Sequence, residues 1–491
     1  MEYLAQIFTP TNLLMMNIGV LAGIIIGALP GLSVVLAVTV LLPFTYGMDP
    51  LAAIYLLLGA YCAGNYGGSV TAILINTPGT PAASATTLDG SPMAKNGQSG
   101  DALKCALVGS TYGGLISTAI LFFAAPAISS FALKFGPADY FALCVFGLSV
   151  VVSICGNSVL KGLVMASIGL ILSTVGMDPI DGFSRFRFGF FELLGGFEIA
   201  AVMLGAFAIS EILVKTCNRD KGVKEDLVVS KTTMSTFSIV KKYWGNLTRS
   251  SLIGTFIGAV PGTGGPLAAF LSYNLTQSMS KEPETFGKGN PAGVISPEAG
   301  NNGVTGGALI PMLTLGIPGD TCMAVLLGAL TMQGITPGPQ LFVKEKTWVY
   351  CLMIGLFLIN IFMYVQGSVM VKLVTKVTKV PPEILIPCIM VFCLLGGYTI
   401  RNYYFDVFIV MLFGIFGYVF RKFDYPIPPL AIGIVLGNLT ETNLRRALVL
   451  SKGSISVFFT RPIACTFMLI AICFLLRPII SAVWKKVKLH K

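Results

Sequence analysis

The stretch "LINTPGTPAASATTLDG", residues 74–90, follows directly on a long uncharged run: no acidic or basic residue occurs from Pro50 to Leu88. Prolines, glycines and threonines interrupt the chain where a plain helix would be expected to sit in lipid. Irregular backbone survives at membrane depth only where protein buries it or a wet cavity meets it, because unpaired peptide groups are costly in hydrocarbon. The purpose of this break decides how the rest of the chain reads.

Its surroundings are membrane-like. The chain has 491 residues, of which 54% are hydrophobic and 11% charged, with a mean hydropathy of +0.81. Soluble domains carry about 25% charged residues. No charge occurs from Tyr3 to Met48, and one spanning helix needs roughly 20 apolar residues. The apolar runs predict an all-α integral membrane protein with about ten to twelve transmembrane segments, some of them broken or re-entrant. They are continuous rather than alternating, which excludes a β-barrel. Glu2 is the only charge before the first apolar segment and no small-residue cleavage site follows, so that segment reads as a retained helix rather than a signal peptide.

Net charge is +11, with eight Lys/Arg between Lys215 and Arg249 and a basic tail, "WKKVKLHK". The positive-inside rule places both in the cytoplasm and the N-terminus outside. These basic residues flank spans instead of coating a soluble face, so the partner they imply is the lipid bilayer and not nucleic acid. Cysteines such as Cys144, Cys155, Cys388 and Cys393 are scattered through apolar runs, and the one histidine, His490, lies in the tail. Neither a disulfide framework nor a zinc site is expected. No cofactor is expected apart from Na⁺ as a coupling ion.

The chain also contains itself twice. "GIIIGALPG" (23–31) returns as "GTFIGAVPG" (254–262), identical at six of nine positions. Each is followed by a Gly-rich segment broken at Pro-Gly: "YGGSVTAILINTPGT" (66–80) and "TGGALIPMLTLGIPGD" (305–320), which align with a shift of about one residue. The expected organisation is a first transmembrane repeat at 1–214, a basic cytoplasmic linker at 215–249, a second repeat at 250–440, and a C-terminal helix with basic tail at 441–491. Repeats beginning on opposite sides of the membrane have inverted topology, the architecture of many secondary transporters. A final helix at 464–484 would return the tail to the cytoplasm.

Paired Gly/Pro-broken segments in corresponding positions point to a transporter's binding site. A helix restarting after such a break offers free N–H groups and about half a positive charge, which suits a carboxylate without a buried Lys or Arg. The first break predicts a chain that stops near Asn76–Thr77, turns at Pro78–Gly79 and restarts with Thr80 as cap and Pro81 in the first helical position. The second offers Pro318, Gly319, Asp320 and Thr321 in the same way. Asp320 is the only acidic or basic residue between Glu298 and Lys344. Such a residue at membrane depth is read as functional, either as a Na⁺ ligand or as a proton carrier; the competing reading is a helix cap. "PEAGNNG" (297–303) adds Glu298, Asn301 and Asn302 as coupling-ion candidates, or an interfacial turn. Asp89 caps or lines the first break. Gly23/Gly27 and Gly254/Gly258 read as close helix packing, and Arg401, Asn402, Arg445 and Arg446 as interfacial anchors.

The chain resembles the TctA-type family, the large membrane subunit of tripartite tricarboxylate transporters. The matching motifs are "YGGSVTAILINTPGTPAASATTLDGSPMAKNGQSGDAL", "FGKGNPAGVISPEAGNNGVTGGALIPMLTLGIPGD", "GALTMQGITPGPQLF" and "YPIPPLAIGIVLGNLTETNLRRAL". The resemblance covers nearly the whole chain. It implies an ion-driven uptake system of the bacterial inner membrane. An extracytoplasmic solute-binding protein would deliver a di- or tricarboxylate, and a small four-helix membrane subunit would join the large one. Family members often carry Ala at the position of Gly303 and Ser at that of Asp320, which puts a universal cation role for Asp320 in doubt. The competing expectations are a stand-alone carboxylate carrier or channel without a binding protein, and an intramembrane aspartyl protease. The protease reading lacks a second aspartate in an apolar run, so no enzyme activity is expected.

Overall fold

The computed structural model describes residues 2–29, 32–154, 158–218, 229–377 and 382–489. Pro30 and Gly31 of the first motif, Cys155, part of the basic linker (219–228), and His490 lie outside them. The chain divides into two compact units. One comprises Met1–Ser129, Lys215–Val260 and Gly264–Phe392; the other comprises Ser130–Val214, Pro261–Thr263 and Cys393–Lys491.

The first unit is built from α1 (Pro10–Gly27), α2 (Val34–Leu41), α3 (Pro50–Ile75), α4 (Ala83–Lys95), α5 (Ser99–Ala132, which ends in the second unit), α6 (Thr236–Ala259), α7 (Gly264–Ser278), α8 (Ala292–Leu315), α9 (Thr321–Met332) and α10 (Lys346–Val377). Their starts follow from the sequence. Thr9 caps α1 by accepting the Asn12 N–H at 3.3 Å, with Pro10 in the first helical position. Ser33 caps α2 through the Leu36 N–H at 3.1 Å. Asp49 caps α3 through the Leu51 N–H at 3.0 Å, again with proline next.

Two glycine seams organise this unit. Along α1 and α3, a Cβ added at Gly23 would lie 2.6 Å from the Ala60 carbonyl oxygen, one at Gly27 would strike the Gly64 carbonyl, and one at Gly67 would lie 2.6 Å from the Ile24 carbonyl. Along α6 and α8, a Cβ at Gly254 would strike the Gly300 carbonyl, one at Gly258 would lie 2.7 Å from the Val304 carbonyl, and one at Gly307 would strike the Thr255 carbonyl. Only glycine lets backbones approach this closely, as in membrane helix pairs generally. The offset that carries Ala60 to Gly300 also carries Gly64 to Val304 and Gly67 to Gly307. No gap is needed, whereas the sequence alignment shifted the second motif by a residue.

Among the described residues, five helices are long and apolar enough to cross a membrane: Pro10–Gly27, Ser99–Ala132, Ile199–Cys217, Lys346–Met370 and Tyr404–Lys422. This is the pattern of a multi-pass membrane protein. The ten to twelve crossings expected from the sequence draw on shorter apolar helices as well, which length alone does not qualify. Neither α3 nor α8 is among the five, although both are buried almost throughout. Their glycines, asparagines and threonines lower the hydropathy of helices that are enclosed by protein.

The latter part of the basic linker is ordered against α5. Asp101 accepts the N–H groups of Thr233 and Met234 at 2.7 and 2.8 Å and the Thr233 hydroxyl at 2.6 Å.

The second unit contains Pro137–Ile154, Val159–Ser173, Tyr404–Lys422, Pro428–Leu450 and Pro462–Leu489, with a short antiparallel pair, Gly176–Met177 and Ser184–Arg185. Asp178 anchors that loop. It accepts the Ile180 and Asp181 N–H groups at 2.8 and 3.0 Å and pairs with Arg445 at 2.7 Å. The Asp181 and Ile180 amides, then Arg445, hold its carboxyl down to about 2. Arg401 pairs with Asp406. Two arginines read as interfacial anchors therefore neutralise carboxylates within the chain.

Candidate functional site

At the first break α3 ends at Ile75, and Asn76 takes the left-handed conformation with φ 54°. The chain folds back on the helix it has left: the Thr77 N–H reaches the Thr71 carbonyl at 3.4 Å and the Gly79 N–H reaches the Gly68 carbonyl at 3.0 Å. Thr80 supplies the cap oxygen, its Oγ1 accepting the Ala83 N–H at 3.4 Å. Regular helix begins at Ala83 and not at Pro81. The Ala83 N–H also bonds the Thr80 carbonyl at 3.1 Å, so Pro81 and Ala82 form a tight turn before α4. Asn76 and Thr77 are exposed, Pro78 is half-buried, and Gly79 and Thr80 are buried.

The second break follows the same course. α8 ends at Leu315, Gly316 is left-handed with φ 73°, and the Ile317 N–H bonds the Pro311 carbonyl at 3.3 Å. Pro318 and Gly319 are buried, while Asp320 and Thr321 are half-buried. Asp320 caps α9, with Oδ1 accepting the Met323 N–H at 2.8 Å and Oδ2 accepting the Tyr61 hydroxyl at 2.5 Å. A Cβ at Gly79 would strike the Gly27 carbonyl and lie 2.8 Å from the Gly68 Cα. A Cβ at Gly319 would lie 2.7 Å from both the Gly258 carbonyl oxygen and the Ala308 Cα. Each Pro-Gly is thus pressed against the seam of its own half.

The same helices carry a buried polar layer. Glu298 of α8 is buried; its Oε1 accepts the hydroxyls of Ser69 and Thr86, and its Oε2 accepts that of Ser110 at 2.8 Å. One carboxylate therefore ties α3, α4, α5 and α8 together. Asp89 of α4 accepts the Tyr273 hydroxyl at 2.8 Å and the N–H groups of Gly289 and Asn290 at 2.9 and 2.8 Å, which holds the turn that leads into α8. Asn301 and Asn302 differ from both acids. They are 1% and 0% exposed, yet none of their four side-chain polar atoms has a partner among the described residues. A buried polar group left unpaired costs about 1–3 kcal/mol. Such groups are rare in folded proteins and call for an explanation.

Sequence reasoning missed Tyr61, Ser69, Thr86 and Ser110 as partners of the acids. The hydroxyls on Glu298 come from positions 188 to 229 residues away, and no local spacing encodes such pairing.

Residues 13–432 match the model of the tripartite tricarboxylate transporter TctA family. The chain belongs to the TctA family. An uncharacterized 52.8 kDa protein of the TAR-I ttuC' 3'region of Agrobacterium vitis is 38% identical over 469 residues, covering 94% of this chain and 92% of that protein. An uncharacterized protein of the TAR-II ttuC' 3'region of the same organism is 38% identical over 215 residues, 44% of this chain and 89% of its own length. No solved structure matches. Membership in the TctA family makes the chain the large membrane subunit of a tripartite tricarboxylate transporter, a transport protein and not a member of an enzyme family.

Proposed function

We propose that the chain is a permease that takes up organic di- or tricarboxylates across the bacterial inner membrane, driven by a Na⁺ or H⁺ gradient. An extracytoplasmic solute-binding protein delivers the cargo and a small four-helix membrane subunit completes the complex. The observation that carries this reading is the pair of matched breaks. Two long buried helices stop at a left-handed residue, turn through Pro-Gly and restart as helix N-termini, in a chain with no basic side chain nearby in sequence. Helix N-termini attract anions through their free N–H groups and dipole.

The two halves are inverted-topology repeats in this reading, with the breaks as re-entrant tips, the N-terminus outside and the linker inside. The recurring glycine contacts support it. The cargo is held at Asn76–Thr80 and Pro318–Thr321. The driving ion is held by Asn301, Asn302, Glu298 or Asp320. Free amide oxygens at Asn301 and Asn302 suit Na⁺, which takes oxygen ligands. A proton would go to Glu298 or Asp320, whose oxygens already hold hydrogen bonds.

The test is uptake of labelled citrate, succinate and malate into proteoliposomes holding the complete complex, with imposed Na⁺ and proton gradients. Accumulation that collapses with one gradient supports the permease and names its ion. Flux indifferent to every gradient would identify a channel instead.

A further inference from the structure

The two breaks do not offer an anion the same surroundings. At the second, the α9 N-terminus already holds a carboxylate, that of Asp320, bonded to the Met323 N–H and the Tyr61 hydroxyl. α2 packs against α9, and the side chain of its first residue, Val34, comes within 3.2 Å of a Cβ placed on Gly64 of α3. This cluster therefore consists of a helix N-terminus, one polar side chain from the long helix α3, and a carboxylate.

The offset that carries Gly64 to Val304 and Gly79 to Gly319 carries Tyr61 to Asn301 and Thr80 to Asp320. The first break accordingly has the same parts in another combination. The N-termini of α4 and α7 come together: a Cβ on Gly265 would strike the Asn301 Oδ1 and lie 3.4 Å from the Ala82 Cβ, and Ala82, Ala85 and Ala269 pack against one another. Asn301 from α8 is 1% exposed, and its amide has no partner. The cap at this site is the Thr80 hydroxyl, which is neutral. Two positive helix ends and an amide are present, and the carboxylate is the missing component.

We infer that one carboxylate of the cargo binds where the N-termini of α4 and α7 converge on Asn301, filling the role that Asp320 fills with the chain's own carboxylate in the other half. This rests on the carboxylate-uptake reading and narrows it, since only the first break takes cargo directly. The Asn301 amide donates its Nδ2 hydrogens to the ligand and the dipoles of the two helix ends add attraction; the Ala83, Ser84 and Ala85 N–H groups at the α4 end already bond the Thr80, Pro81 and Ala82 carbonyls. At the second break the Asp320 carboxyl group already occupies the helix end.

The test uses the purified full chain in detergent and follows its melting temperature with sodium citrate, succinate or malate, against sodium chloride and sodium sulfate at equal ionic strength. Wild type is expected to melt higher with at least one carboxylate and not with sulfate. Asn301→Ala should weaken apparent affinity at least tenfold; Asn301→Gln, which displaces the amide by about one bond, does the same should the alanine variant fail to fold. Thr80→Asp places a built-in carboxylate in the first break, so it should abolish the response while melting, without ligand, no lower than wild type. The proposal is overturned by a wild type that responds to no carboxylate, by equal responses to sulfate, by affinity within twofold of wild type in Asn301→Ala, or by a Thr80→Asp protein that still responds. Vesicles with the whole complex separate the two readings. Equal uptake by wild type and both variants removes this subsite and leaves the permease, whereas a wild type that takes up no carboxylate removes the permease.

Discussion

At the break after α3 the chain turns through Asn76, Pro78 and Gly79 and restarts beneath a threonine hydroxyl; at the break after α8 it turns through Gly316, Pro318 and Gly319 and restarts beneath a carboxylate. The backbones share their left-handed residue, their Pro-Gly and their contact with the glycine seam of their own half. What differs is the cap, a hydroxyl in one case and a carboxyl group in the other. Shape is set by residues without functional side chains, whereas the chemistry of the cap is set by one position, Thr80 or Asp320.

The largest effect tests the shared part. Gly79→Leu and Gly319→Leu should each abolish uptake, a loss above about a hundredfold, because overpacking costs about 1–3 kcal/mol and here the obstacle is backbone. Uptake assays beside size-exclusion profiles check this, and a tolerant position on one side only would break the equivalence of the two breaks. Next come the caps. Thr80→Ala should cost about 1 kcal/mol, as cap removal does. Asp320→Ala should cost about 2–3 kcal/mol, since it also leaves the Tyr61 hydroxyl unpaired. Thermal melts compare them, and equal losses would show that the carboxylate contributes nothing beyond a cap.

Glu298→Gln probes the layer that both halves share. It keeps the shape but sets an NH₂ group where hydroxyls donate, so a loss of about 1–2 kcal/mol is expected in the same melts. The smallest effect serves as a reference outside both breaks. Asp178, held down to about 2 by the Asp181 and Ile180 amides and then Arg445, has a folded pKa below the unfolded value of about 3.9. Its contribution is present above about pH 4 and lost as pH falls through about 2. Asp178→Asn should therefore lower the melting temperature at pH 7 and change little at pH 2, with no effect on the caps.

The breaks were legible because proline and glycine act locally: proline removes a donor, and glycine admits left-handed backbone and close approach. The stop near Asn76 and the turn at Pro78–Gly79 follow from residues next to one another. The start of α4 was read two residues early because Pro81 fits a first helical position as well as a tight turn. The register of the second half was harder, since Gly67–Gly68 attracts Gly306–Gly307 in sequence, whereas packing matches Gly67 to Gly307 and Gly68 to Ala308. Partnerships such as Tyr61 with Asp320, or Ser69 with Glu298, join residues more than 200 positions apart. They exist only once the helices have assembled, so composition and spacing leave no trace of them.

The glycine seams carry a mechanical consequence. Where carbonyl oxygens of one helix rest directly on α-carbons of its neighbour, no flexible side chain lies between them to absorb sliding. In the carrier proposed above, a stroke is therefore expected to move each close-packed pair as one piece, with the compliance residing in the joints outside those pairs.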